Sequence, residues 1–176
     1  MSVRALNAVE LAEVKSVFQS GLDLMRVRIN EGSDFPNLIG RIGAWFRRTK
    51  PPEANAITVG NTSYFPVTLT TPNPDDPLWL RDMGWLMHEL THQWQFQHVG
   101  IGYLFQAILA PTYVYAPPVQ ASNDALKSFS QAGKHFADFN REQQGNIVRD
   151  YYFSLKQSQD VSGWNTFLAE VRTPRV

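Results

Sequence analysis

The chain has 176 residues, of which 43% are hydrophobic and 12% aromatic, and it contains no cysteine. This composition predicts one compact domain over residues 1–176 and excludes both a disordered chain and a disulfide framework. Sixteen basic and sixteen acidic residues balance to a net charge of zero, so the overall charge predicts neither a nucleic-acid partner nor attraction to an anionic membrane.

The N-terminal half of the sequence predicts a small sheet between helices. Apolar residues at helical spacing predict a first helix over residues 9–19, and alternating apolar residues predict a strand over 23–30. Residues 37–48 fit a short helix or an irregular segment, and the proline-containing stretch 49–54 predicts a loop. Residues 56–65 predict two short strands joined by a tight turn, or one strand with a bulge.

The next segment predicts a loop that leads into a long helix. Three prolines and two aspartates mark residues 70–77 as the loop. Within it, Asp76-Pro77 predicts a helix N-cap followed by proline at the first helical position. Residues 79–99 carry a wide apolar surface and predict one long, mostly buried helix.

After this helix the sequence predicts helices alone. Residues 103–110 are apolar enough for a second buried helix, and residues 111–122 predict an extended aromatic loop. Helical pattern returns at Asn123 and again over residues 140–157. A small sheet among helices, followed by an all-helical C-terminal half, is an α+β architecture.

The start of the chain does not resemble a cleaved export signal. Its first residues carry charges that interrupt the apolar core which a signal peptide needs, at Arg4, Glu10, Glu13 and Lys15. No stretch reaches the roughly 18 apolar residues that a membrane span requires. The sequence therefore predicts synthesis in the cytoplasm and, for any export, a route that needs no cleaved signal.

The long helix contains the pentad His88-Glu89-Leu90-Thr91-His92, an HExxH motif. Imidazoles four residues apart lie about one turn apart on the same helix face, so both can bind one zinc ion while Glu89 stands beside the metal's water. This spacing predicts a zinc-dependent hydrolase. The alternative is a pair of core histidines bonded to backbone carbonyls, with Glu89 at the solvent edge.

Catalytic zinc normally takes three protein ligands, and in a chain without cysteine the third must be a histidine or a carboxylate. His98 lies ten residues after His88, as in the metzincin motif HExxHxxGxxH. That motif needs a glycine where this sequence has Gln95, and a methionine turn, whereas no methionine follows Met87. His98 is therefore an alternative third ligand that departs from the motif.

Glu142, at the start of the last long predicted helix, is a second candidate. A carboxylate from a neighbouring helix can complete a site of two histidines and one glutamate. The same stretch also fits an ordinary helix start, with Asn140 as N-cap and Gln143 as its capping-box partner. These two interpretations are compatible. His135 is a third candidate, although its surroundings are more typical of a surface residue, or of a residue that contacts a metal ligand without binding the metal itself.

One combination of segments resembles a known family. It pairs His88-Glu-Leu-Thr-His-Gln-Trp-Gln95 with Asn140-Arg-Glu-Gln-Gln-Gly-Asn-Ile-Val148 and Asp150-Tyr-Tyr-Phe153. This pairing resembles small bacterial zincin-like proteins, known as Vgr-related or Rhs-associated and linked to type VI secretion loci. The resemblance extends to residues 57–66 and covers most of the chain from 24 to 157. It implies a zincin-like fold and a metallopeptidase-like site with Glu142 as the third ligand.

The sequence departs from the glutamate zincins at one position. These proteins often carry an aspartate four residues after the ligand glutamate, where it orients a ligating histidine, and here that residue is Asn146. A carboxamide still accepts a hydrogen bond but carries no charge, so Asp150 or Asp82 is the alternative orienting group.

The predicted mechanism places Zn²⁺ on His88, His92 and Glu142. Glu89 is then expected to act as the general base toward the metal-activated water and to pass the proton to the leaving nitrogen. A second donor to the oxyanion is expected besides the metal, and the candidates are Tyr113, Tyr115, His135 and Arg149. The strand within residues 56–65 is expected to align an extended peptide substrate.

Two other functions fit the same residues. A peptidoglycan amidase or endopeptidase would use the same ligands with a differently shaped cleft. A non-catalytic metal-binding or adaptor protein of a secretion system would retain the fold without the reaction. The expected partners are a peptide or protein substrate and, through the resemblance, proteins of the secretion apparatus.

Overall fold

The computed structural model describes residues 3–35, 56–100, 102, 114–116 and 119–174. These residues form a sheet of four strands: β1 (Val3–Arg4), β2 (Arg28–Asn30), β3 (Ile57–Val59) and β4 (Thr62–Tyr64). They also form five helices: α1 (Ala8–Phe18), α2 (Trp79–Val99), α3 (Val119–Gln131), α4 (Arg141–Lys156) and α5 (Asn165–Arg172). The predicted α+β class is confirmed, since every strand in the described residues precedes the helices α2 to α5. None of the described helices has both the length and the apolar character needed to cross a membrane.

The sheet has the strand order β1-β2-β4-β3. β1 runs antiparallel to β2, β2 runs parallel to β4, and β3 and β4 form an antiparallel hairpin. The pairing of Val59 with Thr62 leaves a two-residue loop in which Gly60 has a φ of 63°. Glycine at the first loop position is typical of a type II′ turn. Of the two arrangements predicted for this stretch, the structure has two strands joined by a tight turn.

The strand predicted over residues 23–30 is wrong in its first half, because only Arg28–Asn30 is a strand. The side chain of Asp23 accepts a hydrogen bond from the backbone N–H of Met25 at 3.1 Å, and the Asp23 carbonyl accepts one from Arg26 at 3.2 Å. An aspartate that bonds to the backbone two residues ahead favours a turn. This local turn outweighs the alternation of apolar residues that predicted a strand.

The predicted extent of α2 is confirmed at residues 79–99, but the predicted cap is wrong. Leu78 is the N-cap residue, whereas Asp76 accepts a hydrogen bond from the Leu78 N–H at 2.8 Å and another, through its carbonyl, from Trp79 at 2.9 Å. Asp76-Pro77 thus forms a turn before the helix.

Downstream, α3 begins at Val119, four residues before the point at which helical pattern was expected, so the end of the predicted loop 111–122 is helical. Residues 111–113, 117 and 118 of that loop lie outside the described residues. So do the predictions for residues 37–48, 49–54 and 103–110.

The two helices that carry the motif residues, α2 and α4, pack closely against each other. A Cβ atom placed on Gly84 of α2 would lie 2.2 Å from the ring of Phe153 on α4, and one on Gly145 of α4 would lie 2.7 Å from the ring of His88 on α2. Each helix therefore has a glycine at a position where any larger side chain would clash with the other helix. Because the helices approach so closely, side chains from both can reach a common point between them.

Candidate metal centre

His88 and His92 of α2 are both buried, with 9% and 5% of their surface exposed. Their rings lie edge to face with centroids 4.9 Å apart, and their Nε2 atoms are 3.2 Å apart. The helical repeat places them one turn apart on the face toward α4. The two Nε2 atoms therefore converge on one point, rather than on the backbone carbonyls that a pair of ordinary core histidines would use.

Glu142 approaches this point from the first turn of α4. The predicted capping box is confirmed: Asn140 Oδ1 accepts from the Gln143 N–H at 2.9 Å, and Gln143 Oε1 accepts from the Asn140 N–H at 3.1 Å. This cap fixes where the helix begins. The carboxylate of Glu142 then lies with Oε2 3.3 Å from His88 Nε2 and Oε1 3.5 Å from His92 Nε2.

The spacing of these ligand atoms suits a zinc ion, whose tetrahedral ligands at about 2.0–2.2 Å lie about 3.3–3.6 Å apart. The two Nε2 atoms are 3.2 Å apart, each is within 3.5 Å of one of the two Glu142 oxygens, and one ligand atom from each residue lies within 4.8 Å of the others. Two imidazole nitrogens and one carboxylate oxygen are a common donor set for catalytic zinc. Within the described part of the chain, no other set of three potential metal-binding side chains meets so closely.

His92 and Glu142 shift each other's pKa. Burial lowers the pKa of His92, but hydrogen bonding to Glu142 and the charge of Glu142 outweigh burial and raise the pKa from its ordinary 6.5 to about 9. Burial raises the pKa of Glu142, but hydrogen bonding to His88 and His92 outweighs it and lowers the pKa from 4.5 to about 2. Near neutral pH the metal-free cluster therefore pairs an ionised carboxylate with a protonated His92, and a metal must displace that proton.

Glu89, the glutamate of the motif, is buried against the hairpin with 5% of its surface exposed. Thr58 Oγ1 donates to Glu89 Oε2 at 2.7 Å, Ser63 Oγ lies 2.8 Å from Thr58 Oγ1, and Gln93 Nε2 donates to Ser63 Oγ at 2.8 Å. Because the amide nitrogen can only donate, each hydroxyl donates to the next group in turn, and the chain ends on the carboxylate. The β3–β4 hairpin thus holds Glu89 in place.

His98, the alternative third ligand, lies at the far end of α2. It is ten residues from His88, a rise of about 15 Å along the helix axis. The Nδ1–H of His98 donates to the carbonyl of Trp94 at 2.8 Å, and its ring stacks on Trp94 with centroids 4.3 Å apart. The structure thus brings Glu142, and not His98, to the two motif histidines.

Three of the other predicted residues bond to one another. Tyr115 donates to Asp150 Oδ2 at 2.9 Å, and Arg149 pairs with Asp150 Oδ1 at 2.9 Å. Asp150 is two helical turns beyond Glu142, about 12 Å along α4. Burial and then the charge of Asp150 raise the pKa of Tyr115. These three residues form a separate cluster.

The remaining predicted residues lie on different elements of the fold. Asn146 is buried, with 8% exposed, one turn after Glu142 on α4. His135 is exposed and lies 3.4 Å from Glu170 on α5. Asp82 accepts from Thr70 and pairs with Arg81, so it does not orient a motif histidine through these bonds. Tyr113 lies outside the described residues.

Four residues that contact the motif residues directly or through one neighbour were not assigned to the site from the sequence: Thr58, Gln95, Gln144 and Gly145. For two of these four residues the sequence held a local indication. Gln95 lies three residues after His92, a spacing at which helix side chains meet. Gly145 stands inside a helix, where glycine costs about 1 kcal/mol relative to alanine unless close packing requires it. Nothing local in the sequence pointed to Thr58 or Gln144.

Comparison with known proteins adds one relationship. No protein-family model matches the sequence. Over 96 residues, 50% of this chain, the sequence is 32% identical to the type VI secretion system spike protein VgrG2b of Pseudomonas aeruginosa, and the match spans only 8% of that protein. The similarity links this chain to the Vgr-related proteins of type VI secretion.

A solved domain of the same protein has a similar fold. The solved effector domain of Pseudomonas aeruginosa VgrG2b superposes with a TM-score of 0.53 and 24% sequence identity. The match covers 98% of this chain and 84% of that domain. At this identity the likeness concerns the fold, which the chain shares with an effector domain along nearly its whole length.

Proposed function

We propose that this protein is a zinc-dependent hydrolase, specifically a metallopeptidase of zincin type, and that it acts as an effector of type VI secretion. The observation that carries the proposal is the convergence of His88, His92 and Glu142, whose ligand atoms lie within 4.8 Å of one another, with the buried Glu89 next to His88 on the same helix. An HExxH pair with a glutamate from a second helix is a donor set used for peptide hydrolysis.

The residues of the chain have distinct roles in this proposal. His88, His92 and Glu142 hold the ion, which supplies a Lewis acid that polarises a carbonyl and makes water more acidic. Glu89 accepts the proton of the attacking water and returns it to the leaving nitrogen. Thr58 fixes one oxygen of Glu89, which leaves the other oxygen to exchange that proton.

The substrate is proposed to be an extended peptide. Strand β3 is the last strand in the order of the described sheet, with β4 on its one paired side. Its central residue, Thr58, contacts Glu89, so a peptide paired along β3 would run past the motif helix. Backbone pairing of this kind gives affinity with little dependence on sequence.

The secretion role rests on the relationship with VgrG2b, which is a spike protein of type VI secretion with an effector domain. By this relationship the protein would be made in the cytoplasm, would leave the cell with the secretion apparatus, and would use apparatus proteins as partners. Export by that route requires no cleaved signal.

Activity assays on tag-free, zinc-loaded protein test the proposal. Casein, short peptides and purified peptidoglycan are incubated with the wild-type protein and with Glu89→Gln, which keeps the side-chain volume but removes the base. We expect the wild type to cleave casein or peptides and the variant to bind zinc with activity reduced by about 10²-fold or more. Cleavage of peptidoglycan alone would replace the metallopeptidase by a cell-wall hydrolase. Wild-type protein that takes up no zinc on loading and cleaves none of these substrates would favour an adaptor.

A further inference from the structure

Two glutamine side chains lie buried behind His92, between α2 and α4. Gln95 of α2 has 0% of its surface exposed and Gln144 of α4 has 1%. Gln95 Oε1 lies 2.9 Å from His92 Nδ1, on the side of the imidazole ring away from Glu142. Burying two amides without pairing them would be costly, and the structure pairs both of them.

The orientation of the Gln144 amide follows from its neighbours. Its Nε2 lies 2.9 Å from the carbonyl oxygen of Phe136, which can only accept a hydrogen bond. Its Oε1 lies 3.1 Å from Arg141 Nη1, which can only donate. The opposite orientation would place donor against donor and acceptor against acceptor. The oxygen of Gln144 therefore faces Gln95.

The orientation of Gln95 follows in turn. Its amide nitrogen lies 2.9 Å from the carbonyl oxygen of Arg141 and 2.9 Å from Gln144 Oε1. Both of these oxygens accept, so the NH₂ group must face them and the Gln95 oxygen must face His92. An oxygen at that position can pair only with a protonated Nδ1, so the neighbouring amides determine which nitrogen carries the hydrogen when the ring of His92 is neutral.

We propose that Gln95, oriented by Gln144, is a positioning residue that keeps a proton on Nδ1 of His92 and directs Nε2 toward the metal. The inference rests on the proposed zinc site. It assigns to a neutral amide the orienting role for which the sequence offered Asn146, Asp150 or Asp82. A histidine ligand whose other nitrogen is fixed by an acceptor has its ring orientation set before the metal arrives.

Zinc affinity, measured by competition with a chelator, tests the proposal. Gln95→Met keeps the length of the side chain but removes the acceptor, and we expect zinc affinity to fall about 10- to 100-fold. Gln97→Met is the matched control, since Gln97 is an amide on the same helix that bonds to Asp23 and Asn61 instead. The control should bind zinc as the wild type does. Equal affinities of the Gln95 and Gln97 variants would overturn the proposal.

A double-mutant cycle tests the role of Gln144. Gln144→Met should weaken zinc binding less than Gln95→Met, because Gln95 keeps its bond to the Arg141 carbonyl. In the Gln95→Met background it should have almost no further effect, because the two residues act on His92 in series. Additive losses would show that Gln144 acts independently of Gln95 and would overturn this part of the proposal.

NMR of the metal-free protein separates this inference from the hydrolase proposal, because it needs neither zinc nor substrate. In ¹⁵N-labelled protein at a pH where the imidazole of His92 is neutral, we expect its single ring proton on Nδ1 in the wild type and in Gln97→Met, and no such proton on Nδ1 in Gln95→Met. If the wild type binds no zinc but shows this proton, the hydrolase proposal fails and the Gln95–His92 pairing stands. If the wild type lacks the proton, or Gln95→Met retains it, the pairing is wrong.

Discussion

Gly145 of α4 lies directly against the imidazole ring of His88 on α2. A Cβ at position 145 would be 2.7 Å from both Cε1 and Nδ1 of that ring, closer than nonbonded carbon and nitrogen atoms can approach. The hydrogen atom of glycine thus lets α4 approach close enough for Glu142, three residues earlier, to reach both motif histidines.

Substitution of Gly145 by alanine should therefore displace His88 or move α4 away from α2. We expect Gly145→Ala to reduce zinc affinity by about 10-fold or more. Gly84→Ala is the control, since it crowds the same pair of helices against Phe153 and not against a ligand. Titration of both metal-free variants with zinc should show the selective loss only for Gly145. A similar loss in both would mean that helix spacing, and not contact with His88, controls the site.

Glu142→Gln should weaken zinc binding strongly. The substitution preserves shape but removes the negative charge that would pair with the metal and with the two imidazoles. We therefore expect zinc affinity to fall by more than the roughly 10- to 100-fold that is typical when a residue hydrogen-bonded to a metal ligand is replaced. Calorimetric titration with zinc measures it. Glu170→Gln is the matched control, because Glu170 also faces a histidine, His135 at 3.4 Å, but outside the cluster. Unchanged zinc affinity in Glu142→Gln would remove Glu142 from the ligand set.

Thr58→Val should reduce hydrolysis without reducing zinc binding. Valine has nearly the shape of threonine but cannot donate to Glu89 Oε2, so the base loses its fixed orientation while the three ligands remain. With a substrate found by the assays above, we expect kcat to fall about 10-fold and zinc content to stay at the wild-type level. Thr62→Val, on the neighbouring strand, should leave both unchanged. Full activity in Thr58→Val would show that Glu89 needs no support from the hairpin.

The stability of the metal-free protein should depend on pH through His92 and Glu142. The pKa of His92 is raised from 6.5 to about 9, so its stabilising contribution is complete below 6.5 and is lost as pH rises through 9. The pKa of Glu142 is lowered from 4.5 to about 2, so its contribution is present above 4.5 and is lost as pH falls through 2. The pair should therefore stabilise the metal-free fold most between pH 4.5 and 6.5.

Denaturant unfolding of metal-free protein at about pH 5.5 and about pH 9.5 measures this effect, and the free energy of unfolding should be lower at the higher pH. Zinc binding should show the opposite trend and strengthen as pH rises toward 9, because binding releases the proton of His92. In His92→Gln this pH dependence of stability should be reduced. Wild-type stability that does not change between the two pH values would contradict the coupling of His92 to Glu142.

The sequence predicted the parts of the site that depend on local spacing. His88, Glu89 and His92 share a helix whose observed bounds are those predicted, and helical periodicity alone brings the two histidines to one face. Asn140 and Gln143 form the predicted capping box, since a cap is also a local interaction. Glu142 was placed first among the candidate ligands through a family resemblance, and the structure brings it to the two histidines.

The parts that the sequence did not predict depend on contacts between distant segments. Thr58 is 31 positions from Glu89, and Gln95 is 49 positions from Gln144. Their meeting depends on how the hairpin and α4 pack on α2, which no local pattern encodes. Asp76 failed as an N-cap for a different reason, since its carbonyl accepts from Trp79 in a turn and the first α-helical hydrogen bond runs from Asp82 to the carbonyl of Leu78.

His88, His92 and Glu142 are proposed to bind one zinc ion together. X-ray absorption at the zinc edge, on tag-free protein loaded with one equivalent of zinc, identifies the atoms that bind it. We predict two imidazole nitrogens at about 2.0–2.1 Å and carboxylate or water oxygens at about 2.0–2.2 Å, with one imidazole lost from the spectrum in His92→Gln. Protein that retains no zinc, or a zinc spectrum without two imidazoles, would show that these three residues do not form a zinc site.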